Sequence, residues 1–194
     1  MGIEHINRKG DRYYLQTTPA KDGKLRYSFT RKLKGKAVEM LPEGYEIYES
    51  PDDAQVFLRR VKSSLILPLE REIVERGVRA QAGLQHFIVE VDENALIVHL
   101  PDTDADEVAR FLSRDFGSSS RIEAVRQNMI LRSRFSKMMR FKLCDPGQRL
   151  FDCARWCFLG GIDNWFFLSG SAPLADLVAR YVKHLGKQSF FELM

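Results

Sequence analysis

The residues whose types and spacing could do chemistry concentrate in one stretch, KMMRFKLCDPGQRLFDCARWCFL, from Lys137 to Leu159. Asp145-Pro146-Gly147-Gln148 divides two β-like runs. Pro pre-sets the first central dihedral of a turn and Gly tolerates positive φ at the second, so the stretch reads as a hairpin with Cys144 opposite Arg149. On that register, alternation gives a core face of Met139, Phe141, Leu143, Leu150, Trp156 and Phe158. The other face carries Arg140, Lys142, Cys144, Arg149, Phe151, Cys153, Arg155 and Cys157. Arg140, Lys142, Arg149 and Arg155 around Phe151 make a pattern that contacts phosphates and stacks a base. The plainer reading of the same residues is a solvated sheet face, partly paired with the acidic segments around Glu70 and Glu107.

The cysteines suggest two other chemistries. Cys153 and Cys157, with Cys144 and a histidine, have the composition of a zinc site, but residues four apart in a strand stand roughly 13 Å apart, too far to share one ion. Cys153 as a nucleophile would have Arg140 and Arg155 nearby to lower its pKa, yet no base is placed beside it by the sequence. His86 and His99 fall on the same or on opposite faces of a hairpin according to whether its turn has two residues or three. Ser169-Gly170-Ser171 before a helix could hold a phosphate, but Ser171 as an N-cap accounts for the same residues. Asp102, Asp104 and Asp106 fit helix initiation better than a divalent metal. No metal ligand set and no cofactor motif is assigned.

The elements that must position these groups are legible from periodicity. Arg12 to Thr17 and Lys24 to Arg31 read as a hairpin around Ala20-Lys21-Asp22-Gly23, and Tyr45 to Glu49 with Gln55 to Arg59 as a second around Ser50-Pro51-Asp52-Asp53. Pro68 to Arg79 reads as a helix. His86 to Val91 and Ala95 to Leu100 form a hairpin whose second strand is apolar at nearly every position, as expected of a strand covered on both faces. A helix opens at Thr103 and ends at Gly117; Ser118 to Ser120 is a loop; Arg121 to Asn128 is ambiguous between strand and helix. Gly160-Gly161 breaks the strand run, Asn164 to Leu168 resumes it, and Leu174, Leu177, Val178, Tyr181, Val182 and Leu185 share one helical face before Gly186. The fold class is therefore α+β: an antiparallel sheet with two or three packed helices in 63–194, and a small β-rich unit in 1–62.

Gly44-Tyr45-Glu46-Ile47-Tyr48-Glu49-Ser50-Pro51 followed by Gln55-Val56-Phe57-Leu58-Arg59-Arg60 resembles a bacterial family of hypothetical proteins with no activity attached to it. His184 to Leu193 is similar to that family's ending. The resemblance implies a bacterial cytoplasmic protein and transfers no catalytic residue.

Composition bounds the function classes. With 194 residues and 44% hydrophobic content the chain can bury a sizeable core, and no run approaches the roughly 18 apolar residues of a membrane-spanning helix. Three cysteines do not suggest a disulfide framework and fit a reducing compartment, so the cytoplasm is expected. The net charge of +4 is unevenly spread: Met1 to Lys36 holds ten basic residues against three acids, and Ala37 to Leu58 six acids with no base. Arg12, Lys24, Arg26 and Arg31 give the first segment its own basic cluster. Such neighbouring blocks more often neutralise each other than build an anion site. The expectation is a non-catalytic binding or adaptor protein whose partner is another protein or a polyanion such as nucleic acid. The rival is an enzyme with Cys153 or a histidine as the reacting group in a cleft between the two units. The closing Phe190-Phe191-Glu192-Leu193-Met194 either packs on its own core or docks elsewhere.

Overall fold

The computed structural model describes residues 2–21, 23–116, 119–159 and 162–194. The expected turn at Asp22, the helix end at Gly117 with Ser118, and the break at Gly160-Gly161 lie outside them. The fold is α+β, and the chain divides into two compact units: Met1–Val61 with Thr103–Arg134, and Lys62–Asp102 with Phe135–Met194. Among the described residues no helix is long and apolar enough to cross a membrane.

In the first unit β2 (Arg12–Pro19) is the central strand, pairing β3 (Leu25–Thr30) along one edge and β1 (Glu4–Ile6) and β4 (Lys36–Ala37) along the other, all antiparallel. A separate hairpin joins β5 (Tyr45–Glu49) to β6 (Val56–Arg60). Tyr13, Leu15, Phe29 and Val56 form the core. Buried Asn7 donates to the Ala54 carbonyl at 2.8 Å and accepts from Asp11 N at 2.8 Å, satisfying the polar groups of a tight turn. This unit also contains α2 (Ala105–Phe116) and α3 (Ser120–Arg132), linked by the Arg126–Asp106 ion pair. Asp104 caps α2, its Oδ1 accepting from Asp106 N and Glu107 N at 3.0 and 2.9 Å. The ambiguous segment at 121–128 is thus helical.

The second unit is a five-stranded antiparallel sheet in the order β11 (Ile162–Pro173), β10 (Leu150–Leu159), β9 (Phe135–Asp145), β8 (Ala95–Pro101), β7 (Ile88–Asp92). Helices α1 (Pro68–Gly77) and α4 (Leu174–Tyr181) pack with one sheet face around Leu96, Val98, Met139, Phe141, Leu177 and Val178. The helices approach closely at Gly77, where a Cβ would stand 2.2 Å from Val178 Cγ1. The α4 face read from the sequence is buried throughout, from Leu174 to Leu185. Its N-cap is Pro173 rather than Ser171, because β11 runs on through Ser169-Gly170-Ser171 to Pro173. A phosphate loop at those residues is thereby excluded: Ser171 N donates to Asp152 Oδ1 at 3.0 Å. The C-terminal tail packs on its own unit, with Phe190 fully buried and the Leu193 carbonyl accepting from Arg155 Nε at 2.9 Å.

The β9–β10 register differs from the expected one by a single residue, and this changes the composition of both faces. Asp145 pairs with Leu150 and Leu143 with Phe151, leaving Cys144 as a bulge. The cause is local. Asp145 Oδ1 accepts from Gly147 N and Gln148 N, both at 2.9 Å, which makes Asp145 the first residue of the turn. The left-handed residue is then Arg149, at φ 54°, not Gly147. Odd-numbered residues of β10 consequently face the helices, and even-numbered ones face the other way.

Candidate functional site

The basic face read from the sequence is dispersed by that register. Phe151 is 1% exposed and Cys153 0% exposed, both in the core with Phe141. Arg149 is bound to buried Glu70 through Nε and Nη2 and donates to the Leu65 carbonyl at 3.1 Å. Arg155 follows the core-facing phase, with its guanidinium 5.1 Å from the Phe166 ring and its Nε on Leu193. Of the five residues assigned to anion contact, Arg140 and Lys142 alone share the face directed away from the helices.

A second bulge adds to that pair. In the β8–β9 ladder Val98 pairs with Met139 and His99 with Lys137, so Met138 is the extra residue and packs partly against the core. Strict alternation would have left Lys137 on the core side with Met139; the bulge returns it to the side of Arg140. Lys137, Arg140 and Lys142 then line one side of the central strand, with Arg140 and Lys142 about 7 Å apart along it.

Even-numbered β10 residues supply the aromatic half. Trp156 pairs with Trp165 across the β10–β11 ladder, their rings edge-to-face at 5.1 Å between centroids. Lys137 Nζ stands 3.7 Å from the Trp156 ring centre, and the Arg140 guanidinium carbon 4.6 Å from that of Trp165. In the next cross-strand row, Ile97 pairs with Arg140, Arg140 with Ala154, and Ala154 with Phe167, which is 61% exposed. Beside these groups lies a hollow of about 340 Å³, bordered by Lys137, Arg140, Lys142, Trp165, Ile97 and the β7–β8 turn.

Electrostatically the hollow favours anions. Among the described residues, none of Lys137, Arg140 and Lys142 lies within ion-pair distance of a carboxylate. The acids on its rim, Asp92 and Glu93, are bridged by Lys62 Nζ at 2.9 and 3.2 Å. Asp152, opposite Lys142 in register, accepts the Ser171 amide. Partial burial draws the Arg140 guanidinium below its ordinary pKa, while Asp152 acts in the opposite direction. Arg140 Nε is buried without a hydrogen-bond partner. In contrast, Arg12 and Arg31 of the N-terminal cluster are paired with Glu4 and Asp11 at 2.7 and 2.8 Å.

Comparison of the chain with family models, with curated proteins and with solved structures returned no match. The site therefore rests on its own geometry.

That geometry does not assemble a nucleophile or a metal centre from the residues singled out for one. Burial pushes the Cys153 thiol well above its ordinary pKa, so it stays protonated at neutral pH and has no path to a substrate. His99 Nε2 lies 3.1 Å from Glu90, His184 Nδ1 is 2.9 Å from Ser189, and the strand partner of His99 is Ile88, not His86. Among the described residues no group of three His, Cys, Asp or Glu is placed to hold a metal ion. Thiol labelling tests the cysteine assignment: exposed Cys144 should react in the native protein and Cys153 only at the rate of unfolding. Stoichiometric native labelling of Cys153, located by mass spectrometry, would return it to the list of reactive groups.

Trp156, Trp165 and Lys137 were not legible as site residues, since the unbulged register places Trp156 in the core. One signal could have found the tryptophans. Reading the Gly-Gly pair of the sequence as the centre of a hairpin would have set position 159 opposite 162 and hence 156 opposite 165, the pairing that the strands show. Nothing local in the sequence marks Met138 as a bulge.

Proposed function

We propose that this chain is a non-catalytic binding protein whose ligand is a polyanion, contacted by the face of the five-stranded sheet that carries Lys137, Arg140 and Lys142. The observation that supports this reading is the row of three cations along β9, unpaired with carboxylates among the described residues and set beside two indoles. Cations held next to apolar rings are less hydrated than free surface lysines and give up less solvent to an incoming phosphate or sulfate. A bacterial cytoplasmic setting, implied by the resemblance of residues 44–60, is part of the same proposal.

The test is salt-dependent binding. Affinity for an oligonucleotide should fall with log salt at a slope of roughly 2, since three phosphate contacts each contribute about 0.7 for a single strand. The variant Lys137→Gln/Arg140→Gln/Lys142→Gln should abolish most of that slope, whereas Arg12→Gln/Arg31→Gln in the first unit should leave it intact. Equal retention of wild type and the triple variant on an immobilised polyanion across a salt gradient would refute the assignment.

A further inference from the structure

We infer that the ligand of this face is single-stranded nucleic acid, and that bases stack on Trp156 and Trp165 by displacing the cations that cover those rings. The inference rests on the anion-binding reading above and adds a requirement for a flat, unpaired group. In the free protein Lys137 Nζ lies 3.7 Å from the centre of the Trp156 ring, and the Arg140 guanidinium lies 4.6 Å from that of Trp165. These are positions a stacked base would occupy. The indole faces are held open by side chains that are long, flexible and mutually repelling, rather than by packed apolar groups.

Exchange of partners conserves favourable contacts. Two successive nucleotides placed on this face bring a ring for each indole and a phosphate for each displaced cation. Lys137 and Arg140 can therefore leave the ring faces without becoming unpaired, and Arg140 Nε, buried without a hydrogen-bond partner, gains an acceptor. A polyanion without bases offers only half of this exchange, because a cation drawn to its phosphate leaves an indole face uncovered. A duplex offers the same half, since its bases are already stacked on one another. Phe167, 61% exposed in the row beside the tryptophans, extends the stacking surface along β11.

The chain has two tryptophans, both on this face, so intrinsic emission reports on this surface and no other. Tryptophan emission should be titrated with an oligothymidylate of about a dozen nucleotides, a DNA hairpin of matched charge, and inorganic polyphosphate. Quenching that saturates with oligothymidylate is expected, with polyphosphate competing but producing little quenching. Single-strand affinity should exceed duplex affinity. Trp165→Leu should weaken oligothymidylate binding on the order of tenfold and leave polyphosphate binding unchanged. If oligothymidylate and polyphosphate bind equally per charge and the wild-type emission does not respond, stacking is overturned while the anion-binding face stands. Tighter binding of the duplex overturns it too. If none of the probes binds in a salt-sensitive manner, both readings fall. The wild-type emission decides between these outcomes even where Trp165→Leu does not fold.

Discussion

Phe151→Ala is expected to lower the unfolding free energy by about 3–5 kcal/mol, the usual range for truncating a fully buried phenylalanine. Phe151 is 1% exposed and packs in the cluster that contains Phe141, Leu143 and Leu174, so alanine leaves a cavity that neighbouring strands cannot close. The value of this variant is that it discriminates between registers. In an unbulged hairpin Phe151 would sit among the arginines on the outer face, where truncation changes stability by no more than about 0.5 kcal/mol and acts instead on ligand binding. Chemical denaturation of wild type and variant separates the two cases. A shift in midpoint with unchanged affinity for a polyanion is the expected result, and a stable variant with lost binding would reverse the face assignment.

Arg149→Ala is the second variant with a large expected effect, a loss of about 3 kcal/mol. Glu70 is 7% exposed; it accepts from Leu67 N at 2.8 Å at the start of α1 and from two nitrogens of Arg149. Removing the guanidinium leaves a carboxylate with little solvent and one remaining donor, which costs more than the pair contributes when intact. Adding Glu70→Gln to Arg149→Ala should recover part of the loss, because a neutral amide is less costly to bury. The backbone contributes separately. Arg149 has a φ of 54°, a conformation that glycine adopts freely, so Arg149→Gly should be less destabilised than Arg149→Ala by roughly 1 kcal/mol. Additive single-variant effects in a Glu70–Arg149 double-mutant cycle would show that the pair carries no coupling, contrary to this account.

These two residues show how far the sequence could be read and where it stopped. Periodicity located α4 and its buried face from Leu174 to Leu185, the strands on either side of Asp145-Pro146-Gly147-Gln148, and the strand from Ala95 to Leu100, whose second face is nevertheless open at half-buried Ile97, because each is decided by neighbours a few residues away. The pairing of β8 with β9 joins segments separated by α2 and α3, and no local pattern encodes it. Helix α3 was ambiguous because none of its described residues is buried, so no apolar stripe marks its period. The bulge at Cys144 follows from the choice of Asp145 as the capping residue of the turn, which alternation alone does not reveal, and the bulge at Met138 comes from cross-strand pairing that exists only once the sheet has formed. The candidate site was half legible for the same reason. Arg140 and Lys142 kept their face since they precede the turn, whereas Arg149, Phe151 and Arg155 follow it and changed sides or partners.

The two one-residue irregularities flanking the middle of β9 also determine what kind of sequence change this surface can absorb. Substitutions along the strand alter individual contacts. Loss of Met138 or Cys144 itself would only flatten a bulge and leave both faces as they are, but the loss or gain of one residue between them would rotate everything beyond it by half a turn, exchanging lysine for methionine or tryptophan for cysteine at the solvent boundary. The identity of the surface is thus encoded in chain length between fixed points, so insertions and deletions here act as switches between two different exteriors.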